Sequence, residues 1–283
     1  MKKSTRTVYG ALLQTAQRFK QPLPILPNST LNQKFGVFQD LVPGVNEMPF
    51  TQYFAIGVKG VTVDITTNGL YVTKYREYDP RWGSLLAHVP FLMRRVQEDI
   101  TPAERVSYRM RKVEVHNGIT YVAYYLKKLN LDTTAVGAEY RTIINDIITS
   151  SAWTPTLANL NPEPMTVNPN QVIRTGDDYI SATKKIQLVF TAGDIQEIMD
   201  AVNIIYGDPG YANITELALI SGLDRTVTGD FNGISAGYTE AIYTQVNDFV
   251  KTSISCPNAL NGQIIDIDAG SNEPLLIYNA TTL

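Results

Sequence analysis

The chain has 283 residues, 44% hydrophobic and 18% charged, with a formal net charge of −3. This is enough chain to bury a full core, as one large domain or two smaller ones. No apolar run approaches the roughly 20 residues that span a bilayer as a helix, and a single cysteine, Cys256, excludes an internal disulfide and a cysteine-based zinc site.

Sixteen Tyr and 15 Pro, with many Thr and Val, favour strands and irregular connections over a helical bundle. The fold class expected is therefore α+β and β-rich, built from antiparallel hairpins with a few short helices. The lone cysteine fits a reducing compartment. Residues 1–128 carry 18 Lys or Arg against 9 Asp or Glu, a net of +9, whereas residues 129–283 carry 6 against 18, a net of −12. Either the basic half meets an acidic partner, which is another copy's acidic half or nucleic acid, or the two halves are independently solvated.

Along the chain, Val8, Leu12, Leu13, Ala16 and Phe19 fall at helical spacing within residues 4–20. Gln14, Thr15, Gln17 and Arg18 interrupt that stretch, so it is not expected to be a signal peptide. The Pro-rich run "KQPLPILPNST" then forces an extended path. Residues 1–40 read as a helix and extended arm that lies either on a neighbouring copy or on its own domain. On the first reading Lys2, Lys3, Arg6, Leu12, Leu13, Arg18 and Phe19 are subunit contacts.

Residues 41–150 form the first α+β region. Val61, Val63 and Ile65 alternate up to Asn68-Gly69, and a second Asn-Gly turn stands at Asn117-Gly118, so two β-hairpins are expected. Thr101, Pro102 and Glu104 occupy the N-cap, N1 and N3 places of a short helix. Tyr140, Ile143, Ile144, Ile147 and Ile148 share a helical stripe. Residues 151–170, with four Pro and four Asn, form a connector.

Residues 171–283 form the second region, which packs separately or with the first. "KKIQLVF" reads as a strand and "TAGDIQEIMDAVNIIYG" as a helix between Thr191 and Gly207. Asp208-Pro209-Gly210 makes a turn with Gly210 at the unusual angle, and "ANITELALI" is a strand ended by Ser221-Gly222. "YTEAIYTQVNDFVKTSI" fits helix or strand, with strand favoured, and "NGQIIDIDAGSNEPLLIY" reads as two strands around a turn.

Chemistry is sparse. The glycines of "NIIYGDPGYANITELALI" follow a helix, whereas a phosphate loop needs them before one. His88 and His116 are the only histidines, and no Gly-x-Ser-x-Gly elbow supports a triad around either. "DIDAGSNE" places Gly270 and Ser271 where a calcium loop needs Asp or Asn and then Gly, and "TGDFNG" offers only Asp230 and Asn232. No catalytic residue, cofactor site or metal site is assigned. Arg94, Arg95, Arg105, Arg109, Arg111 and Lys112 lie near Tyr108, Tyr121, Tyr124 and Tyr125, a mixture suited to phosphates and stacked bases, yet no nucleic-acid signature accompanies them.

Three stretches, "YRMRKVEVHNGITYVAYYLKKL", "NITELALISGLDR" and "YTEAIYTQVNDFV", resemble virion structural proteins of large tailed bacteriophages. The resemblance implies a non-enzymatic building block, assembled in the host cytoplasm into rings at the neck, collar, tail or baseplate. Its partners would be copies of itself and other virion proteins, with no membrane. The alternatives are a basic-faced nucleic-acid-binding phage protein and, behind it, a hydrolase with a scattered site.

Overall fold

The computed structural model describes residues 4–65, 67, 69, 71–144, 147–162, 171–231 and 234–280. In chain order the elements are β1 (Ser4–Arg6), α1 (Val8–Phe19), α2 (Leu31–Phe35), β2 (Phe50–Gly57), β3 (Val61–Ile65), β4 (Tyr71–Tyr75), β5 (His88–Val89), β6 (Leu92–Arg95), β7 (Tyr108–His116), β8 (Ile119–Lys128), β9 (Gly137–Ile144), β10 (Ile147–Ala152), α3 (Leu157–Leu160), β11 (Gln171–Phe190), α4 (Ala192–Tyr206), β12 (Asn213–Phe231), β13 (Ile234–Ser255) and β14 (Gln263–Ala280). The protein is β-rich, its pairings among the described residues are antiparallel, and its helices are short.

The chain divides into two compact units, 1–130 with 188–265, and 131–187 with 266–283. The divisions fall after Asn130 and inside β11 and β14, not at the 151–170 connector. Of that connector, residues 157–160 are a helical turn and residues 163–170 lie outside the described residues.

In the first unit an eight-stranded sheet runs β1-β13-β12-β2-β8-β6, with β5 on β2 and β7 on β8. Tyr53 and Phe249 share one core cluster, while Phe54, Phe91 and Phe190 pack on one another, and all five are essentially inaccessible. Phe54 meets the edges of Phe91 and Phe190 at centroid distances of 5.0 and 5.8 Å, the geometry that opposed ring quadrupoles favour. α4 forms where expected. Thr191 and Asp194 exchange hydrogen bonds at its start, and Gly207 takes the left-handed conformation at its end, φ 79°, which satisfies end groups the helix cannot pair itself.

Several local expectations are corrected. Tyr140, Ile143, Ile144, Ile147 and Ile148 do not form a helix. They belong to a β9–β10 hairpin in which Ile143 faces Ile148 and Ile144 faces Ile147. The same spacing that makes a helical stripe also makes cross-strand pairs in a hairpin, and β-branched residues decide for the strand. Thr101 and Glu104 do cap each other, Thr101 N to Glu104 Oε2 at 2.7 Å, but the helix is only a 3-10 turn, Glu104–Ser107.

Ser221-Gly222 does not end β12. The pairing with β13 shifts register there and continues to Phe231. Gly222 suits this crowded place, where a Cβ would stand 3.0 Å from both Tyr53 and Thr244. Gly207, rather than Gly210, carries the positive φ, while Asp208 Oδ1 accepts from Gly210 N at 2.7 Å. "QIIDIDAGSNEPLLIY" is one strand, β14, without a turn. Its Pro274 is tolerated because β14 is the edge of the second unit's sheet, β10-β9-β11-β14.

Candidate functional site

The N-terminal segment packs on its own unit. Thr7 N donates to Asn247 O at 2.8 Å and Thr7 Oγ1 to Val246 O at 2.5 Å, while β1 pairs with β13 at residues 248–250. Gly10 lies so near Asn247 O that a Cβ would stand 2.5 Å from it. Of the expected contact residues, Leu13 is buried and Leu12 half-buried, so their apolar surface is spent within the unit. Arg6 is within 3.8 Å of Asp248. Arg18 stacks on Phe19, which is 62% exposed. Lys2 and Lys3 lie outside the described residues.

The basic cluster is neutralised from within. Arg105 and Arg111 both reach Asp99, at 2.6 and 2.9 Å. Arg109 and Lys128 hold Asp224 at 2.8 and 2.7 Å. Arg94 pairs with Glu197, Lys112 with Glu114 at 3.1 Å, and Lys127 with Asp194 at 2.6 Å. The tyrosines serve the same acids, Tyr108 donating to Asp194, Tyr124 to Asp99 and Tyr125 to Glu114. Arg95 remains exposed. Counted by unit, the first carries 20 basic against 18 acidic residues, +2, and the second 4 against 9, −5. The charge contrast between the sequence halves is thus largely an internal complementarity of the first unit.

Two buried carboxylates escaped sequence reasoning. Glu216 accepts from Lys59 N, Leu86 N and Ala87 N at 3.2, 3.0 and 3.1 Å and from Tyr78 Oη at 3.2 Å. Glu240 accepts from Met110 N, Arg111 N at 3.0 Å and Ala241 N at 2.9 Å, and burial raises its pKa against those bonds. Both tie loops and strands by satisfying backbone donors that would otherwise be buried unpaired. Their signal in the sequence is an acid at an inward position of a strand, in "ITELALI" and "TEAIY".

His88 is the one histidine with nucleophile-like company. Ser84 Oγ lies 3.0 Å from its Nε2, and Lys34 Nζ donates to the same hydroxyl. Leu85 N donates to Nε2 at 3.1 Å, which puts the ring proton on Nδ1, a buried atom without a hydrogen-bond partner. Burial, with Lys34 nearby, lowers the pKa of His88 to about 3. A ring with its accepting nitrogen engaged, no orienting acid and so low a basicity is poorly placed as a general base. His116 Nε2 is 3.0 Å from Glu114 Oε2 beside the hairpin turn. Burial pushes the Cys256 thiol up to about 12, far from a reactive thiolate. Among the described residues no three His, Cys, Asp or Glu group as metal ligands, and no helix is long and apolar enough to cross a membrane.

The open surface lies elsewhere. β3 and β4 form a free-standing two-stranded sheet. Val61 faces Tyr75, Val63 faces Thr73 and Ile65 faces Tyr71, so these six residues make one face. The other face carries Thr62, Asp64, Val72 and Lys74, with Asp64 and Lys74 paired at 3.0 Å. Ile65 is 65% and Tyr71 75% exposed. In the second unit, Ile144 and Ile147 face each other at the end of β9–β10, 60% and 67% exposed.

Against this geometry, a family model matches residues 1–283, the whole chain. The chain belongs to DUF7208, a family of unknown function. No curated protein and no solved structure matches it. The family assignment therefore names no activity, and the functional reading of this DUF7208 member rests on its own residues.

Proposed function

We propose that this chain is a non-enzymatic structural component of a tailed-phage virion, self-assembling in a ring at the neck, collar or tail and contacting other virion proteins. One observation carries the reading. The β3–β4 ribbon presents a largely apolar face on which Val63, Ile65, Tyr71 and Tyr75 are exposed among the described residues. An isolated two-stranded ribbon is marginal in water and large exposed apolar faces mark interaction sites, so the ribbon is suited to be covered by a partner. The engaged nitrogen and low basicity of His88, and the use of Glu216 and Glu240 as backbone anchors, support a scaffold over a hydrolase. The sequence resemblance supplies the phage context.

Nucleic-acid binding is the weaker reading, because its cations are already paired with internal carboxylates. Sedimentation of the purified full chain at low and high salt tests the proposal. An apolar interface predicts oligomers that persist at high salt. A monomer that binds DNA or RNA with steep salt dependence would replace the proposal with the nucleic-acid reading.

A further inference from the structure

We infer that the apolar face of the β3–β4 ribbon docks on the second unit's sheet in another copy of this chain, a head-to-tail contact. The inference rests on the assembly reading above and names its surface. The ribbon face is Val61, Val63, Ile65, Tyr71, Thr73 and Tyr75. At its base stand Lys59 and Arg76, both exposed and without an ion pair among the described residues. Arg76 N donates to Gly60 O at 2.8 Å and so prolongs the ladder.

The receiving surface pairs exposed isoleucines with one acid, Asp178. Tyr140 faces Ile180, Thr142 faces Asp178 and Ile144 faces Ile147, which sets these residues on one side of the sheet. Tyr140 Oη donates to Asp178 Oδ2 at 2.7 Å, holding a carboxylate beside the exposed isoleucines. The second unit is net acidic, −5. Two ribbons meeting face to face offer Lys59 and Arg76 no acid, since the face of Val61, Val63, Ile65, Tyr71, Thr73 and Tyr75 carries none. A ribbon on the Tyr140–Ile147 face instead sets its cations toward Asp178 in the net-acidic second unit, and charge complementarity of this kind selects the partner and register. Because the two surfaces differ, the contact is heterologous. Repeated, it generates a ring if the rotation closes and a filament if it does not.

The test uses two full-length variants, Ile65→Asp on the ribbon and Ile144→Asp on the sheet, each checked for an unchanged melting profile. Val63→Lys and Ile147→Lys serve if either fails to fold. Each variant alone should self-associate about tenfold more weakly or worse, the loss expected from an unburied isoleucine. Mixed together they should recover one intact interface, the unaltered ribbon of one on the unaltered sheet of the other, and give a 1:1 heterodimer by native mass spectrometry. Wild-type oligomers that both variants form equally well would overturn this interface while leaving the assembly reading standing. Two defective variants that stay monomeric when mixed would overturn the head-to-tail pairing. A wild-type chain that is monomeric at every concentration would overturn the assembly reading and this inference with it.

Discussion

Arg109 grips Asp224 at two points, Nε to Oδ1 at 2.8 Å and Nη2 to Oδ2 at 3.1 Å, and so ties the basic first half of the chain to the acidic second half. Burial alone would raise the Asp224 carboxyl. The bonds from Arg109, Lys128 and Tyr53 outweigh it and hold the group far below the usual carboxylate range. Arg109→Ala should cost about 2 kcal/mol, since Asp224 keeps Lys128 and Tyr53 but the buried carbonyl bonds of Arg109 Nη1 are lost with the ion pair. Lys74→Ala, which breaks the exposed pair with Asp64, should stay within about 1 kcal/mol. Urea unfolding of the two variants measures both, and equal costs would mean that burial does not govern these pairs.

Asn117 and Gly118 both have positive φ, 50° and 76°, the conformation of a type I′ turn. Asp-Gly should replace them without loss. Val-Val should lower stability by about 1–2 kcal/mol per residue, because a β-branched side chain crowds the left-handed region. Thermal melts decide the point, and an unshifted Val-Val midpoint would place the turn elsewhere.

Of the two placements open to the arm, the structure has it on its own unit. Removing residues 1–20 should destabilise the first unit, because the Leu13 burial and the Thr7 bonds to Val246 and Asn247 go with it. Leu13 alone accounts for about 1.5–3 kcal/mol. Gly10→Val should produce a similar loss by pushing α1 off Asn247, whereas Phe19→Ser at an exposed site should be nearly neutral. Differential scanning calorimetry separates these outcomes. A truncated chain as stable as the full one would restore the arm to a neighbour.

His88 makes stability depend on pH with a definite sign. Its folded pKa of about 3 lies below the unfolded value near 6.5, so the folded state resists the proton. Its contribution is complete above about pH 6.5 and is lost as pH falls toward 3, at about 1.4 kcal/mol per pH unit. Burial raises Glu240 and Asp248, which act in the opposite direction as pH rises, so the difference between wild type and His88→Gln isolates the histidine. That difference should shrink on acidification. A pH-independent difference would show that the ring is not held neutral.

How far this was legible depends on which rule governed each residue. Thr191 and Gly207 announced α4 because caps are local chemistry, and Asn117-Gly118 announced its hairpin for the same reason. The strand reading of Tyr238 to Ile254 was favoured by its Thr, Tyr and Val content. Ile143, Ile144, Ile147 and Ile148 misled because one spacing serves both a helix face and a hairpin register. Gly222 misled because it answers to Tyr53 and Thr244, distant in sequence, and not to a strand end. The charge halves misled most, since Arg109 and Asp224 are 115 residues apart and only the fold makes them partners. The ribbon face was readable from the alternation of Val61, Val63 and Ile65. That it stays uncovered was not, because exposure is a property of everything packed around it.

The most direct measurement is a cryo-EM reconstruction of the intact phage particle. The account predicts this chain in repeated copies around the tail axis, with Val63, Ile65 and Tyr71 of each copy buried against the Tyr140–Ile147 face of the next. A complete reconstruction of the particle without the chain would contradict it.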